Sequence, residues 1–185
     1  MLFNLFGKKR EANTEKIFID KVYISAAAKM QACLDMAKED PATVFIAWFS
    51  DTAAKYKALF SANGIAENKI IEARYLHTSQ IQNHLPVFLE HFPLHAKEME
   101  VAEKFPENKI LVLSSLDEPL FAYFGGEKII STMKAMGVKE NEAVEHPLIS
   151  KSILKAQEKI AKKVTIEQPA NSQQDWFDRN LKKDL

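Results

Sequence analysis

Thr43-Val44-Phe45-Ile46-Ala47-Trp48-Phe49 is the stretch on which the fold turns. It carries no charge, is rich in β-branched and aromatic residues, and is shorter than an ordinary helix. A continuous apolar run of that kind is what a strand covered on both faces looks like, since an exposed face would impose alternation. Asp40-Pro41 stands before it and ends a helical pattern, because the residue preceding a proline is pushed out of helical backbone. Ser50 and Asp51 follow it, and either side chain can accept the first free amide of a new helix.

The same punctuation continues outward on both sides. Upstream, Ile17-Phe18-Ile19 and Val22-Tyr23-Ile24 form a first strand region. A helix over 26–38 then places Met30, Cys33, Leu34 and Ala37 on one stripe, with Ser25 as its N-cap. Downstream, a second helix carries Ala54, Tyr56, Leu59 and Phe60 and stops at Asn63-Gly64. Ile70 to Leu76 is a third strand. A third helix, capped by Thr78 or Ser79, carries Ile81, Leu85, Phe88 and Leu89, with Pro86 as a kink. A short helix runs from His95 to Phe105, Pro106-Glu107-Asn108 makes a turn, and Lys109 to Ser114 is the fourth and last strand. Two helices trail it, over 118–136 and 150–163. Strands alternating with helices imply a mainly parallel sheet with right-handed crossovers. The expectation is one three-layer α/β domain over 16–163, built on a four-stranded sheet, with two trailing C-terminal helices. Residues 1–15 read as an N-terminal arm, and 164–185 as a polar, flexible tail.

Composition removes several functions. The chain of 185 residues has 25 basic and 25 acidic residues and a formal net charge of zero, so it lacks the basic field that nucleic-acid binding requires. Only Arg10, Arg74 and Arg179 are arginines, so bidentate anion clamps are scarce. The single Cys33 excludes an internal disulfide and sits at an apolar helical position, as a small buried hydrophobe does. No apolar run reaches the ~18 residues of a membrane span, and the charges of the first segment follow its apolar residues, unlike those of a signal peptide. A cytoplasmic location is the default. Leu2, Phe3, Leu5 and Phe6, followed by Gly-Lys-Lys-Arg, can touch an anionic membrane surface weakly or tuck against the domain.

Polar residues at the expected carboxyl ends of strands define a candidate ligand cleft: Ser50, Asp51, His77, Ser114, Ser115 and Asp117. A Ser/His/Asp nucleophile reading lacks the Gly-x-Ser-x-Gly elbow. His91 and His95 are four apart, with Glu98 three further on, so an unbroken helix would gather a metal site there. Pro93 lies between the histidines and should break that register. In the tail, Trp176-Phe177 is either an exposed partner anchor or a patch that folds back.

One segment resembles a known family. Ser115-Leu116-Asp117-Glu118-Pro119-Leu120-Phe121-Ala122-Tyr123-Phe124-Gly125-Gly126-Glu127-Lys128-Ile129, then Met133, Met136-Gly137-Val138, Glu142, Val144-Glu145-His146-Pro147, Ile149-Ser150-Lys151-Ser152-Ile153 and Ala156-Gln157-Glu158-Lys159, is similar to the SecA preprotein translocase motor. The similarity is to the end of its second nucleotide-binding half-domain, where the chain passes into a helical scaffold. Val22-Tyr23-Ile24 with its following helix, and 43–64, are a fainter echo of the same half-domain. The resemblance implies a RecA-like fold. It also implies two segments that should touch nucleotide, one with Gly-Arg-Gly-Thr-Asp and one with Gln and paired Gly-Arg dipeptides. Here Ile110-Leu111-Val112-Leu113-Ser114 runs straight into Ser115-Leu116-Asp117, and the chain holds no Gly-Arg dipeptide. Gly-x-x-x-x-Gly-Lys-Ser/Thr is missing too, and Gly7-Lys8-Lys9 lacks the upstream glycine. Phosphoryl transfer depends on a backbone cradle, lysine, metal and arginine. The expectation is therefore a non-catalytic interaction module with no cofactor and an unknown protein partner. That partner would contact the trailing helices through Phe121, Phe124, Ile130 and Ile153, with Trp176 and Phe177 from the tail. The alternative is a small-molecule or nucleotide-binding domain that uses the strand-end cleft without hydrolysis.

Overall fold

The computed structural model describes residues 17–181 apart from 83, 106–108, 125 and 136, so the expectations for the N-terminal arm, for Leu2, Phe3, Leu5 and Phe6, and for the turn at 106–108 lie outside the described residues. Five strands form one sheet: β1 (Ile17–Tyr23), β2 (Thr43–Ala47), β3 (Ile70–Glu72), β4 (Leu85–Phe88) and β5 (Lys109–Ser115). All pairings between them are parallel, in the order β1-β5-β4-β2-β3. The helices are α1 (Ala26–Glu39), α2 (Ser50–Ala62), α3 (His95–Ala102), α4 (Pro119–Ala122), α5 (Gly126–Ala135), α6 (Pro147–Ala161) and α7 (Gln173–Asn180).

The run that opened the argument is β2, every residue of which is buried. On one face of the sheet, Phe45, Leu89 and Leu113 pack against Cys33 and Leu34 of α1 and Tyr56 and Phe60 of α2. On the other face, Ile46, Phe88, Ile110 and Val112 pack against Val101, Ala102 and Phe105. A third cluster closes the carboxyl end, where Phe49, Phe92, Leu116, Leu120, Phe121 and Ile153 meet Trp176 and Phe177. Ser25 caps α1 as expected, its Oγ accepting from the Ala28 amide at 3.2 Å.

The sheet has one strand more than expected. Residues 85–88, read as part of a helix, are β4, and only a 3-10 turn at Thr78–Gln80 remains of that helix. Pro86 explains the outcome. In β4 the amides of Leu85 and Leu89 donate to β2-side carbonyls, Ala42 O at 3.1 Å and Ile46 O at 2.9 Å. Pro86 therefore faces the β5 side, where pairing begins only at Val87, and its missing N–H leaves no gap in a ladder.

The trailing region differs as well. The helix expected over 118–136 is split into α4 and α5, and the next begins at Pro147, with Pro in the first turn where no amide is needed. The tail, expected to be flexible, folds into α7, whose Ser172 Oγ caps it by accepting from the Asp175 amide at 3.1 Å. Trp176 is 1% exposed and Phe177 7%, so neither is an exposed anchor; the alternative of folding back is the one adopted.

Candidate functional site

Helix α2 leaves β2 on one face of the sheet and α3 leaves the end of β4 on the other, so the carboxyl edge between β2 and β4 is the place where ligands enter open parallel sheets. Here the chain fills that place itself. Phe92 stacks on Phe49 with ring centroids 5.6 Å apart, and Trp176 meets Phe92 edge-on at 5.9 Å. The segment before α7 also supplies the cap of α2. Its N-cap residue is Phe49, which offers no side-chain acceptor, and the Asp51 amide donates instead to the carbonyl of Asn171 at 3.0 Å. The expectation that Ser50 or Asp51 caps this helix is corrected accordingly: Ser50 lies inside α2 and its Oγ also turns to Asn171 O, at 3.4 Å.

The other cleft residues are dispersed or bonded internally. His77 is exposed on the turn after β3, where its amide donates to Gln80 Oε1 at 2.8 Å. Ser114 and Ser115 are fully buried, and the Ser115 amide and hydroxyl both donate to Glu118 Oε1, at 3.1 and 3.2 Å. Asp117 accepts from the Ala26 amide at 2.9 Å, holding the start of α1 against the end of β5.

Two buried ionic groups lie behind this edge, the second of which contains His91, His95 and Glu98. In the first, the Lys29 ammonium from the first turn of α1 donates to Leu89 O at 2.6 Å and is paired with Glu118. Burial opposes its charge, yet the Glu118 and Glu90 carboxylates outweigh burial and hold its pKa above the usual lysine value. Glu90 receives the Thr52 hydroxyl at 3.0 Å, and burial, reinforced by Glu118 and opposed by Lys29, lifts its pKa to about 7. Burial raises the Cys33 thiol to about 12, which fits the inert core reading.

The second group joins β1, α3, α6 and α7 to the loop that follows β4. His91 Nε2 lies 2.8 Å from Asp20 Oδ1 of β1, and Nδ1 lies 2.8 Å from Glu98 Oε1 of α3. Glu98 Oε2 accepts from Gln157 of α6 at 2.9 Å and lies 3.2 Å from His95 Nδ1. Gln173 of α7 donates to His91 O at 2.9 Å. Burial disfavours the imidazolium, but the Glu98 and Asp20 carboxylates override it and raise the pKa of His91 to about 10. Glu98 is likewise penalised by burial and then drawn down to about 2 by His91 and its hydrogen bonds. The three candidate metal ligands are thus brought together, but as an ion cluster: both ring nitrogens of His91 face carboxylates. No group of three or more His, Cys, Asp or Glu side chains among the described residues is placed to hold a metal.

The open feature is a groove of about 180 Å³ between α4, α5 and α6. Leu120, Phe121, Phe124, Ile129, Met133 and Ile153 line it, together with Leu116, Leu148, Ile149, Ser152 and Ala156. Of the expected partner contacts, Phe121 and Ile153 are buried in its floor and Phe124 is half-buried on its wall. Ile130 is half-buried, packing against the core behind the groove.

Fold and groove together define an α/β domain with a five-stranded parallel sheet, aromatic side chains filling its carboxyl edge between β2 and β4, and an apolar helical groove beside it. A 46-residue stretch of the chain is 48% identical to the protein translocase subunit SecA of Psychrobacter cryohalolentis. Over 46 residues it is 46% identical to SecA of Acinetobacter baumannii and of Acinetobacter baylyi. In each case the stretch is 25% of this chain and 5% of the relative, so the chain resembles SecA over one segment and spans a small fraction of its length. No family model matches the chain. No helix among the described residues is long and apolar enough to cross a membrane.

Proposed function

We propose that the chain is a non-catalytic protein-interaction module, derived from a RecA-like half-domain of the SecA kind and linked to protein export, that binds a partner through the groove between α4, α5 and α6. One observation carries this reading. All the residues lining the groove fall between Leu116 and Ala156, inside the segment 115–160 that resembles SecA. The chain's lack of the Gly-Arg and phosphate-loop motifs argues in the same direction, since these are the sequence signatures of the machinery that stabilises a transferring phosphate. The test is affinity capture from lysate with the wild-type chain and with Ile129→Asp/Leu148→Asp, both at exposed positions of the groove lip. A partner held by the wild type and lost by the variant supports the reading; identical captures overturn it.

A second reading, a small-molecule or nucleotide site without hydrolysis, is favoured by a cavity of about 480 Å³ at the carboxyl ends of β2 and β3. Trp48, Arg74, Lys97, Lys104 and Glu167 line it. Thermal shift with ATP, GTP and their diphosphates, each with Mg²⁺, decides: a ligand bound by the native state alone raises the melting point.

A further inference from the structure

The groove has a chemistry that narrows its occupant, and this inference rests on the interaction reading above. Its volume of about 180 Å³ is below the ~300–1,000 Å³ of ordinary small-molecule pockets, so it suits a few apolar side chains presented by a larger partner. Among the described residues, no charged one lines it. The α6 wall is formed by Leu148, Ile149, Ser152, Ile153 and Ala156. In an α-helix, residues separated by three or four positions share a face. Leu148, Ser152, Lys155 and Lys159 therefore form a continuous row along the lip. Lys155 and Lys159 are exposed, and Leu148 is 64% exposed. Beyond the helix end, Lys163 Nζ donates to Tyr123 Oη at 3.3 Å, adding an ammonium at that end of the row. The only carboxylate on α6 is Glu158, one turn from Lys155, and the three lysines of the helix, Lys151, Lys155 and Lys159, outnumber it.

We infer that the occupant is an amphipathic helix of a partner protein whose apolar stripe is flanked by carboxylates. The apolar residues at i, i+3 or i+4 and i+7 enter the groove, and Asp or Glu beside them meets Lys155 and Lys159. The wall from Leu148 to Ala156 extends about 12 Å at 1.5 Å per residue, which matches two to three turns of partner helix. A bilayer surface fits less well, because the floor residues Phe121 and Ile153 are recessed, at 8% and 5% exposure, where a flat surface does not reach.

The test uses fluorescence anisotropy with the full chain and two labelled, designed 18-residue helical peptides. Both carry Leu at the i, i+4, i+7 and i+11 positions; one has Glu at the flanking positions and its twin has Lys. Vesicles of phosphatidylcholine with phosphatidylserine form a third arm. The expected result is saturable binding of the Glu peptide, weakened about tenfold in Lys155→Glu/Lys159→Glu, with the Lys twin now preferred. Ser152→Trp, which fills the lip from an exposed position, should abolish binding at an unchanged melting point. Equal binding of the twins, or no saturable binding of either, overturns the acidic-helix assignment and leaves the groove reading to the capture experiment. Glu-peptide binding that survives Ser152→Trp instead shows that the groove is not a docking site, and the proposed function fails with it. Binding to the anionic vesicles alone assigns the lysine row to a membrane and overturns the proposal.

Discussion

His91 and Asp20 meet through Nε2 and Oδ1 at 2.8 Å, in a place where each is almost wholly buried. With Glu98 at the other ring nitrogen, the arrangement is an imidazolium between two carboxylates. Such a cluster is stable only while all three are charged.

A pH dependence of stability follows. His91 binds its proton more tightly folded than unfolded, with a pKa raised from 6.5 to about 10. Its contribution is complete below about 6.5 and is lost as the pH rises toward 10. Glu98 is lowered from 4.5 to about 2, so its contribution is complete above about 4.5 and is lost as the pH falls toward 2. Urea denaturation should show these two contributions lost above about pH 6.5 and below about pH 4.5, and Glu98→Gln should shrink the acid limb, to which Asp20, lowered against burial by His91, also contributes.

Glu90 should behave oppositely to Glu98. Its folded pKa is raised from 4.5 to about 7, so its protonated form is favoured by folding and stability is lost as the pH rises between those values. Glu90→Gln keeps an acceptor for the Thr52 hydroxyl and removes the charge. The variant should melt higher than wild type at pH 8 and close to it at pH 4.5, as followed by circular dichroism.

Trp176 ties the C-terminal segment to the domain, with its indole N–H donating to Glu167 Oε1 at 3.0 Å and its ring against Phe92. Trp176→Ala should cost about 3–5 kcal/mol, the usual penalty for emptying a core aromatic site. Equilibrium urea unfolding measures it. A loss under 1 kcal/mol would mean that the segment does not hold this position in solution.

Gly126 begins α5 where α4 and the end of β5 crowd it. A Cβ there would lie 2.6 Å from Leu116 O and 3.1 Å from the Phe121 carbonyl carbon, both backbone atoms that cannot turn aside. Gly126→Ala should destabilise by roughly 1–3 kcal/mol, as overpacking does, despite alanine's better helix propensity. The same urea titration checks it.

The elements that strong local patterns specify were legible in the chain: β1, β2, β5, α1 and α2 lie where apolar periodicity put them, and α1 begins at its expected cap. What escaped was decided by tertiary partners. Leu85-Pro86-Val87-Phe88 has the same apolar content as a helix turn, and only its pairing with β2 makes it a strand. The tail has a polar sequence, and three buried residues, Gln173, Trp176 and Phe177, suffice to fix it. For the candidate site, Phe121, Phe124 and Ile153 were recognisable as apolar residues of the one segment that resembles SecA. His91, His95 and Glu98 were close enough in sequence to be grouped, but as a metal site; their partner Asp20 and the other ionic group were not legible, since His91 and Asp20 are separated by 71 residues, and Lys29 and Glu118 by 89. One signal was present, an acidic residue interrupting the otherwise apolar run Ile17-Phe18-Ile19 before Val22-Tyr23.

That acidic residue sits on β1, an outermost strand whose outer edge is bridged at Val22 by Val144. Successive side chains in a strand point to opposite sides, so sliding β1 by a single residue along β5 would turn Asp20 away from His91 and bring Ile19 or the like-charged Lys21 over the imidazolium. The strand with the fewest neighbours thereby has its alignment enforced by a buried charge. A slipped pairing with β5 would leave His91 without its Asp20 partner in the interior, a penalty on misalignment that apolar side chains alone could not provide.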